Sequence, residues 1–221
     1  MKFPNAQKAV TKLFIAEIMT ICVVAFSLIA ALLSAIALSV ENNEGLLLAT
    51  GIIGLTALIA SILVFIFQLV ALIQGGKDES HFKVALFMVI IVILINIASV
   101  ILQGIDATKG LTVLFSVLEA VSNVANTIVI VAILYAISSL ADRLRDRKMS
   151  DRGSTLAVIV VLLFIVSIAL DLIPSFFQNI APGWQIAFSI FDIAALVIQI
   201  LLYINIVIYY YKASKMLKRE A

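Results

Sequence analysis

Six long apolar runs, separated by short polar clusters, make up almost the whole chain. They cover approximately 13–40, 46–74, 83–104, 111–141, 154–175 and 184–211. About 20 apolar residues suffice for a helix to cross the hydrocarbon core of a bilayer, so each run predicts one transmembrane helix. Between them lie ENNEG (41–45), GGKDES (75–80), GIDATKG (104–110), ADRLRDRKMSDRG (141–153) and PSFFQNIAPG (174–183). All carry the Gly, Pro, Asn, Asp or Ser punctuation of connecting segments. The expected fold class is all-α: a polytopic membrane protein with six transmembrane helices, forming a single domain over 1–221.

Polar positions inside the later runs fall on stripes. Thr112, Ser116, Glu119, Asn123 and Asn126 recur at steps of three and four, which is one face of a helix. The sixth run repeats this with Gln185, Ser189, Asp192 and Gln199, while the third offers Asn96, Ser99 and Gln103. The fifth offers Ser167, Asp171, Ser175 and Gln178. Such faces are expected to turn away from lipid and toward one another. At 1.5 Å per residue, Glu119 and Asp192 lie roughly 12 Å, and Asp171 roughly 5 Å, below the outer surface. The inner halves of these runs are mainly Ile, Val, Leu and Ala. The pattern predicts a polar pocket open to the outside and floored by an apolar plug. Its candidate lining is Glu119, Asp192, Asp171, Asn123, Asn126, Gln199, Asn96, Gln103, Gln178 and Trp184.

The stripes also suggest an internal repeat. Phe115-Ser116-Val117-Leu118-Glu119 resembles Phe188-Ser189-Ile190-Phe191-Asp192, 73 positions later. Aligning the even runs without gaps places Gly54, Glu119 and Asp192 together, and likewise Ser61, Asn126 and Gln199. If the repeat is real, its units are 8–80, 81–150 and 151–221. They would be three tandem helical hairpins with pseudo-threefold symmetry, the weak internal similarity seen in transporter folds.

Composition agrees with a membrane setting. The chain is 64% hydrophobic and 13% charged, with mean hydropathy +1.22, against about half and a quarter for a soluble domain. No soluble fold of this size hides so much apolar surface, so the lipid bilayer is the expected solvent and partner. No basic, aromatic-interleaved segment points to nucleic acid. The net charge of +2 matters less than its distribution. Of the 15 basic residues, only Lys109 lies on one side of the predicted membrane. The excess of Lys and Arg marks the cytoplasmic side, so both termini are expected in the cytoplasm of a multi-pass cell-membrane protein. The run after Lys12 is too long for a cleaved leader and reads as a retained first span. Tyr209, Tyr210 and Tyr211 beside Lys212 suit an inner interfacial belt, and Trp184 an outer one. Glu17, one turn inside Lys12, is expected to snorkel to the inner interface.

The spans hold no Lys or Arg to pair with Glu119, Asp171 or Asp192. An ionised acid near the bilayer centre costs about 2.5–3.5 kcal/mol on insertion scales. Protonation, hydrogen bonds from Asn and Gln, or a bound cation would relieve it. Without fixed positive partners, the acids favour a cationic or proton-linked ligand over an anion. Catalytic signatures are missing. His81 is the single histidine and lies on an inner loop, and Cys22 is the single cysteine. There is no P-loop, and Phe191-Asp192-Ile193 and Leu170-Asp171-Leu172 lack the Gly-x-Gly-Asp pattern of intramembrane aspartyl proteases. No enzyme activity, metal or cofactor is therefore expected. Two readings stand. One is a transport-type protein binding a small polar or cationic solute, or protons. The other is a non-catalytic membrane subunit, scaffold or immunity-type protein whose polar stripes are structural.

Small residues add one clue. Ala31-x-x-x-Ala35 in the first run, and Gly51, Gly54 and Ala57 in the second, allow close helix approach, with packing inside the bundle as the expected use. Together with six spans, inside termini and an outer polar pocket, Ala31-x-x-x-Ala35 is similar to the substrate-binding subunits of energy-coupling-factor vitamin transporters. In that family an alanine motif of the first helix meets a membrane coupling subunit, so the resemblance implies such a partner. The outer loops here are shorter than the ligand lids of that family, which has no threefold repeat. Mitochondrial carriers also have three two-helix repeats, but their Pro-x-Asp/Glu motifs are absent.

Overall fold

The computed structural model describes residues 3–37, 44–105, 112–176 and 182–219. Six helices account for nearly all of them: α1 (Pro4–Ala37), α2 (Glu44–Gly75), α3 (Ser80–Ile105), α4 (Thr112–Arg143), α5 (Arg147–Phe176) and α6 (Pro182–Arg219). No strand occurs among the described residues. Each helix is long and apolar enough to cross a membrane, so the protein is an all-α, multi-pass membrane protein. The reason is the solvent. Lipid offers no hydrogen bonds, so a spanning segment must satisfy its own backbone, which a helix does. Several span hydroxyls are absorbed the same way. Thr20, Thr50, Thr56 and Ser61 donate to the carbonyls of Ala16, Leu46, Ile52 and Ala57, one turn back, at 2.8–2.9 Å.

Sequential helices are neighbours, and α1 packs against α6 as well as α2. The chain thus closes into a ring. The α1–α6 seam is made by Thr11 and Ser214, whose hydroxyls lie 3.0 Å apart, and by Phe14 against Tyr211 at 5.4 Å between ring centroids. The densest core sits at the end that carries the termini. Leu13, Leu72, Phe82, Leu134, Ile137, Leu140 and Tyr209 are all fully buried there. Toward the other end, apolar side chains such as Leu28, Leu48, Leu94, Val100 and Ile190 are exposed, as a lipid-facing surface requires.

Two turns organise the core end. The first follows α2. Gly75 is needed because a Cβ there would fall 2.6 Å from the ring of Phe82, which packs back across the turn. Asp78 of this turn accepts the backbone N–H groups of Asn5 and Ala6 at 2.8 Å and the Asn5 amide at 3.0 Å. It therefore caps α1, some 70 residues earlier in the chain, and meets the positive end of that helix's dipole. The second turn joins α4 to α5. Arg145 takes φ 62°, and the N–H of Asp146 bonds the carbonyl of Ala141 at 2.9 Å, the pattern of a Schellman stop. The Asp146 carboxylate then accepts the Met149 N–H at 3.1 Å and caps α5.

Four sequence expectations change. The charged run 141–153 is not an extended loop: only 144–146 lie outside helices, and α5 starts at Arg147. Helical spacing lets its Ser150, Gly153 and Ser154 face inward while Asp151 points out. Tyr209 and Tyr210 are 0% and 2% exposed and belong to the core rather than to an interfacial belt. Only Tyr211 is exposed, with the Lys215 ammonium 4.4 Å over its ring. Glu17 does not snorkel, because Tyr203 of α6 holds its carboxylate at 2.7 Å. Finally, Gly51 and Gly54 have nothing within 4 Å of where a Cβ would stand, and Ala31 and Ala35 are exposed. The close helix approach is not made at those four positions, whereas Ala57, the third small residue of the α2 set, is buried.

Candidate functional site

A cavity of about 930 Å³ opens between α4, α5 and α6, a size typical of small-molecule sites. It runs from the middle of these helices toward the end away from the termini. The α4 stripe supplies Ser116, Glu119, Asn123, Asn126 and Thr127, because residues three and four apart stack on one face. Ser167 of α5 and Gln199 and Tyr203 of α6 complete the polar wall. Ile130, Val160, Leu202 and Ile206 line the deeper part, and Val160 and Ile206 are themselves buried core residues. The floor is therefore apolar and continuous with the packed end of the bundle.

Four of the residues selected from sequence share this wall: Glu119, Asn123, Asn126 and Gln199. Gln199 donates from Nε2 to the Ser167 hydroxyl at 3.0 Å, tying α6 to α5. Thr127 spends its hydroxyl on the Asn123 carbonyl at 2.9 Å. Glu119 makes no ion pair among the described residues, where both ion pairs fall on Glu79. Asn96 is exposed on α3, away from the cavity wall. Asp192 and Trp184 lie in α6, Asp171 in α5 and Gln103 in α3, with side chains outside the described set. Gln178 lies outside the described residues altogether. Among the described residues, no three of His, Cys, Asp and Glu are grouped to hold a metal ion.

Sequence reasoning missed Tyr203. The signal was present, since Tyr203 follows Gln199 by four residues and so continues the α6 stripe. Within an apolar run the residue type decides little, because tyrosine buries its ring as readily as it bonds its hydroxyl. Tyr203 both lines the cavity and donates to Glu17 on α1.

A second polar cluster, also missed, stands at the terminal end. The Glu79 side chain is 1% exposed and binds Arg143 Nη2 and His81 Nδ1, each at 2.8 Å. Ser139 donates to it at 3.3 Å. Burial works against ionisation of Glu79, but the His81 bond, the charges of Arg143 and His81 and the Ser139 bond together hold its carboxyl below the usual range. This hub joins the α2–α3 turn to α4. It lies across the apolar floor from the cavity.

These features define a class: a multi-pass helical membrane protein with an open, polar, acid-bearing cavity lined by its last three helices. No family model, no curated protein and no solved structure matches the chain. The resemblance to vitamin-transporter subunits therefore rests on the six spans, the expected inside termini and outer pocket, and the two alanines.

Proposed function

We propose that this is a transport-type protein that binds a small polar or cationic solute, or protons, in the α4–α5–α6 cavity. One observation carries the reading: Glu119 lines a cavity of about 930 Å³ and has no basic partner among the described residues. A carboxylate at this depth is costly unless something compensates it, and a cation in the cavity would do so. Asn123, Asn126 and Gln199 offer carbonyl oxygens that accept from ammonium or guanidinium groups. In this reading the termini and the 76–79 and 144–146 turns face the cytoplasm of a cell-membrane protein, because the basic residues gather there. The cavity then lies toward the outside, and the packed terminal end is the barrier that must open. The sequence match of Glu119 with Asp192, 73 positions later, is the ground for a repeat of helical hairpins in this reading. The reaction is solute binding and movement rather than catalysis.

The test is thermal unfolding of the purified protein with methylammonium, guanidinium or sodium chloride, in wild type, Glu119→Gln and Asp192→Asn. Stabilisation by one of these cations that is lost in the variants supports the site. Stabilisation that survives both changes refutes it. The scaffold reading draws on the Gln199–Ser167 bond, since polar side chains in spans also hold helices together. Failure of both variants to fold favours that reading.

A further inference from the structure

Glu17 is the carboxylate that the cavity itself does not contain but that touches its wall. It stands in α1, outside the three helices that line the cavity, and its Oε2 accepts from the Tyr203 hydroxyl at 2.7 Å. The same hydroxyl lies 3.3 Å from the Glu17 backbone carbonyl, so the phenol is held against this one turn of α1. Tyr203 is also a cavity-lining residue. One tyrosine thus links a carboxylate on a membrane-spanning helix to the wall of the polar cavity.

Among the described residues, no cation pairs with Glu17. α1 packs against α2 and α6. Between Glu44 and Gly75, α2 carries no charged residue beyond Glu44 itself, at the far end. From α6, the ionisable groups near Glu17 are Tyr203 and Tyr210. On α1 itself the other charged residues are Lys8 and Lys12, both nearer the terminal end, and neither forms an ion pair with it among the described residues. The charge on Glu17 is therefore relieved by one phenol or by a proton.

We propose that Glu17 is a proton-binding residue, loaded and unloaded from the cavity through Tyr203. The step balances. Tyr203 passes its hydroxyl proton to Glu17 Oε2 while its oxygen takes a proton from a hydronium ion in the cavity, which is left as water, so one proton moves from the cavity to the carboxylate. The hydrogen bond then reverses: Glu17 O–H donates to the Tyr203 oxygen, and the phenol O–H is free to turn toward the cavity. Protonation of Glu17 thus converts Tyr203 from a cavity-side acceptor into a cavity-side donor. An acceptor suits a cationic solute and a donor does not, which makes solute and proton alternative occupants. The exchange deepens the proposed function and rests on it, whereas the protonation of Glu17 can be measured with no solute present.

The experiment is infrared spectroscopy of the lipid-reconstituted protein with isotope-labelled glutamate, following the protonated-carboxyl region after an acid jump. A glutamic-acid band is expected in wild type, lost in Glu17→Gln and formed more slowly in Tyr203→Phe. Should Glu17→Gln not fold, Tyr203→Phe still identifies the group, because its carbonyl band shifts when the phenol partner is removed. A spectrum unchanged by either substitution overturns the proposal, as does a Glu17 band that forms at the wild-type rate in Tyr203→Phe. Failure of cation stabilisation in Glu119→Gln comparisons bears on the cavity reading alone and leaves these outcomes as they stand.

Discussion

Single residues decide whether a charge in this protein is a cost or a tie. Glu79 is the clearest case: a nearly inaccessible carboxylate with Arg143, His81 and Ser139 around it. Its ordinary value is 4.5, and the fold holds it lower. Ionised Glu79 therefore stabilises the protein above that pH, and the contribution is lost as the pH falls through 4.5 toward the lower folded-state value. Thermal unfolding in detergent should show a decline across this acid window that flattens in Glu79→Gln. The same variant should be less stable at neutral pH, because Arg143 loses its partner. A decline equally steep in the variant would assign the acid sensitivity elsewhere.

At the scale of elements, two sets of contacts between elements carry much of the arrangement. Asp78 caps α1 from the α2–α3 turn. Asp78→Ala leaves two N–H groups of α1 without acceptors and should cost about 1–2 kcal/mol. Faster amide exchange confined to the first turn of α1 would report it. The second set lies where α4, α5 and α6 meet, directly beyond the cavity floor. Ser138 donates to the Ser150 carbonyl at 2.8 Å and sits 3.0 Å from the Ser154 hydroxyl. Tyr209 donates to the Met149 carbonyl at 3.3 Å. Gly153 makes this packing feasible, since a Cβ there would collide with the Tyr209 hydroxyl and come within 3.0 Å of Ser138 Cβ. Gly153→Ala should destabilise by about 1–3 kcal/mol through overpacking and lower the unfolding temperature. A Tyr209→Phe background should recover part of the loss, because the clash is with the hydroxyl.

For the whole molecule, the division into a packed terminal end and a polar far end is the feature with functional weight. Under the proposed function, a solute in the cavity would meet Val160 and Ile206 and, beyond them, the serine and tyrosine junction. Transport would have to part α4 and α6 there, which places the barrier at the basic end. Orientation can be checked directly. In a Cys22→Ala background, Lys77→Cys should react with an impermeant maleimide only from the cytoplasmic face, and Thr112→Cys only from the outside. Labelling of both from one side would overturn the topology.

Much of this was readable in the chain, for a physical reason. Lipid demands long uninterrupted apolar helices, so six spans and an all-α fold follow from hydropathy alone. Helical periodicity likewise put Glu119, Asn123 and Asn126 on one stripe. What periodicity cannot supply is the partner across the gap. A stripe shows which residues share a face, but not which helix closes over it. Tyr203 on Glu17, Asp78 on α1, and Arg143 with His81 on Glu79 join residues far apart in sequence, with no spacing rule to link them. The sequence by itself determined the spans, the charge asymmetry and the stripes, because each is a local pattern. Only the tertiary structure decided that α4, α5 and α6 line one open cavity, that Tyr209 and Tyr210 are core, and that Glu17 faces a phenol. Those depend on how the ring of helices closes.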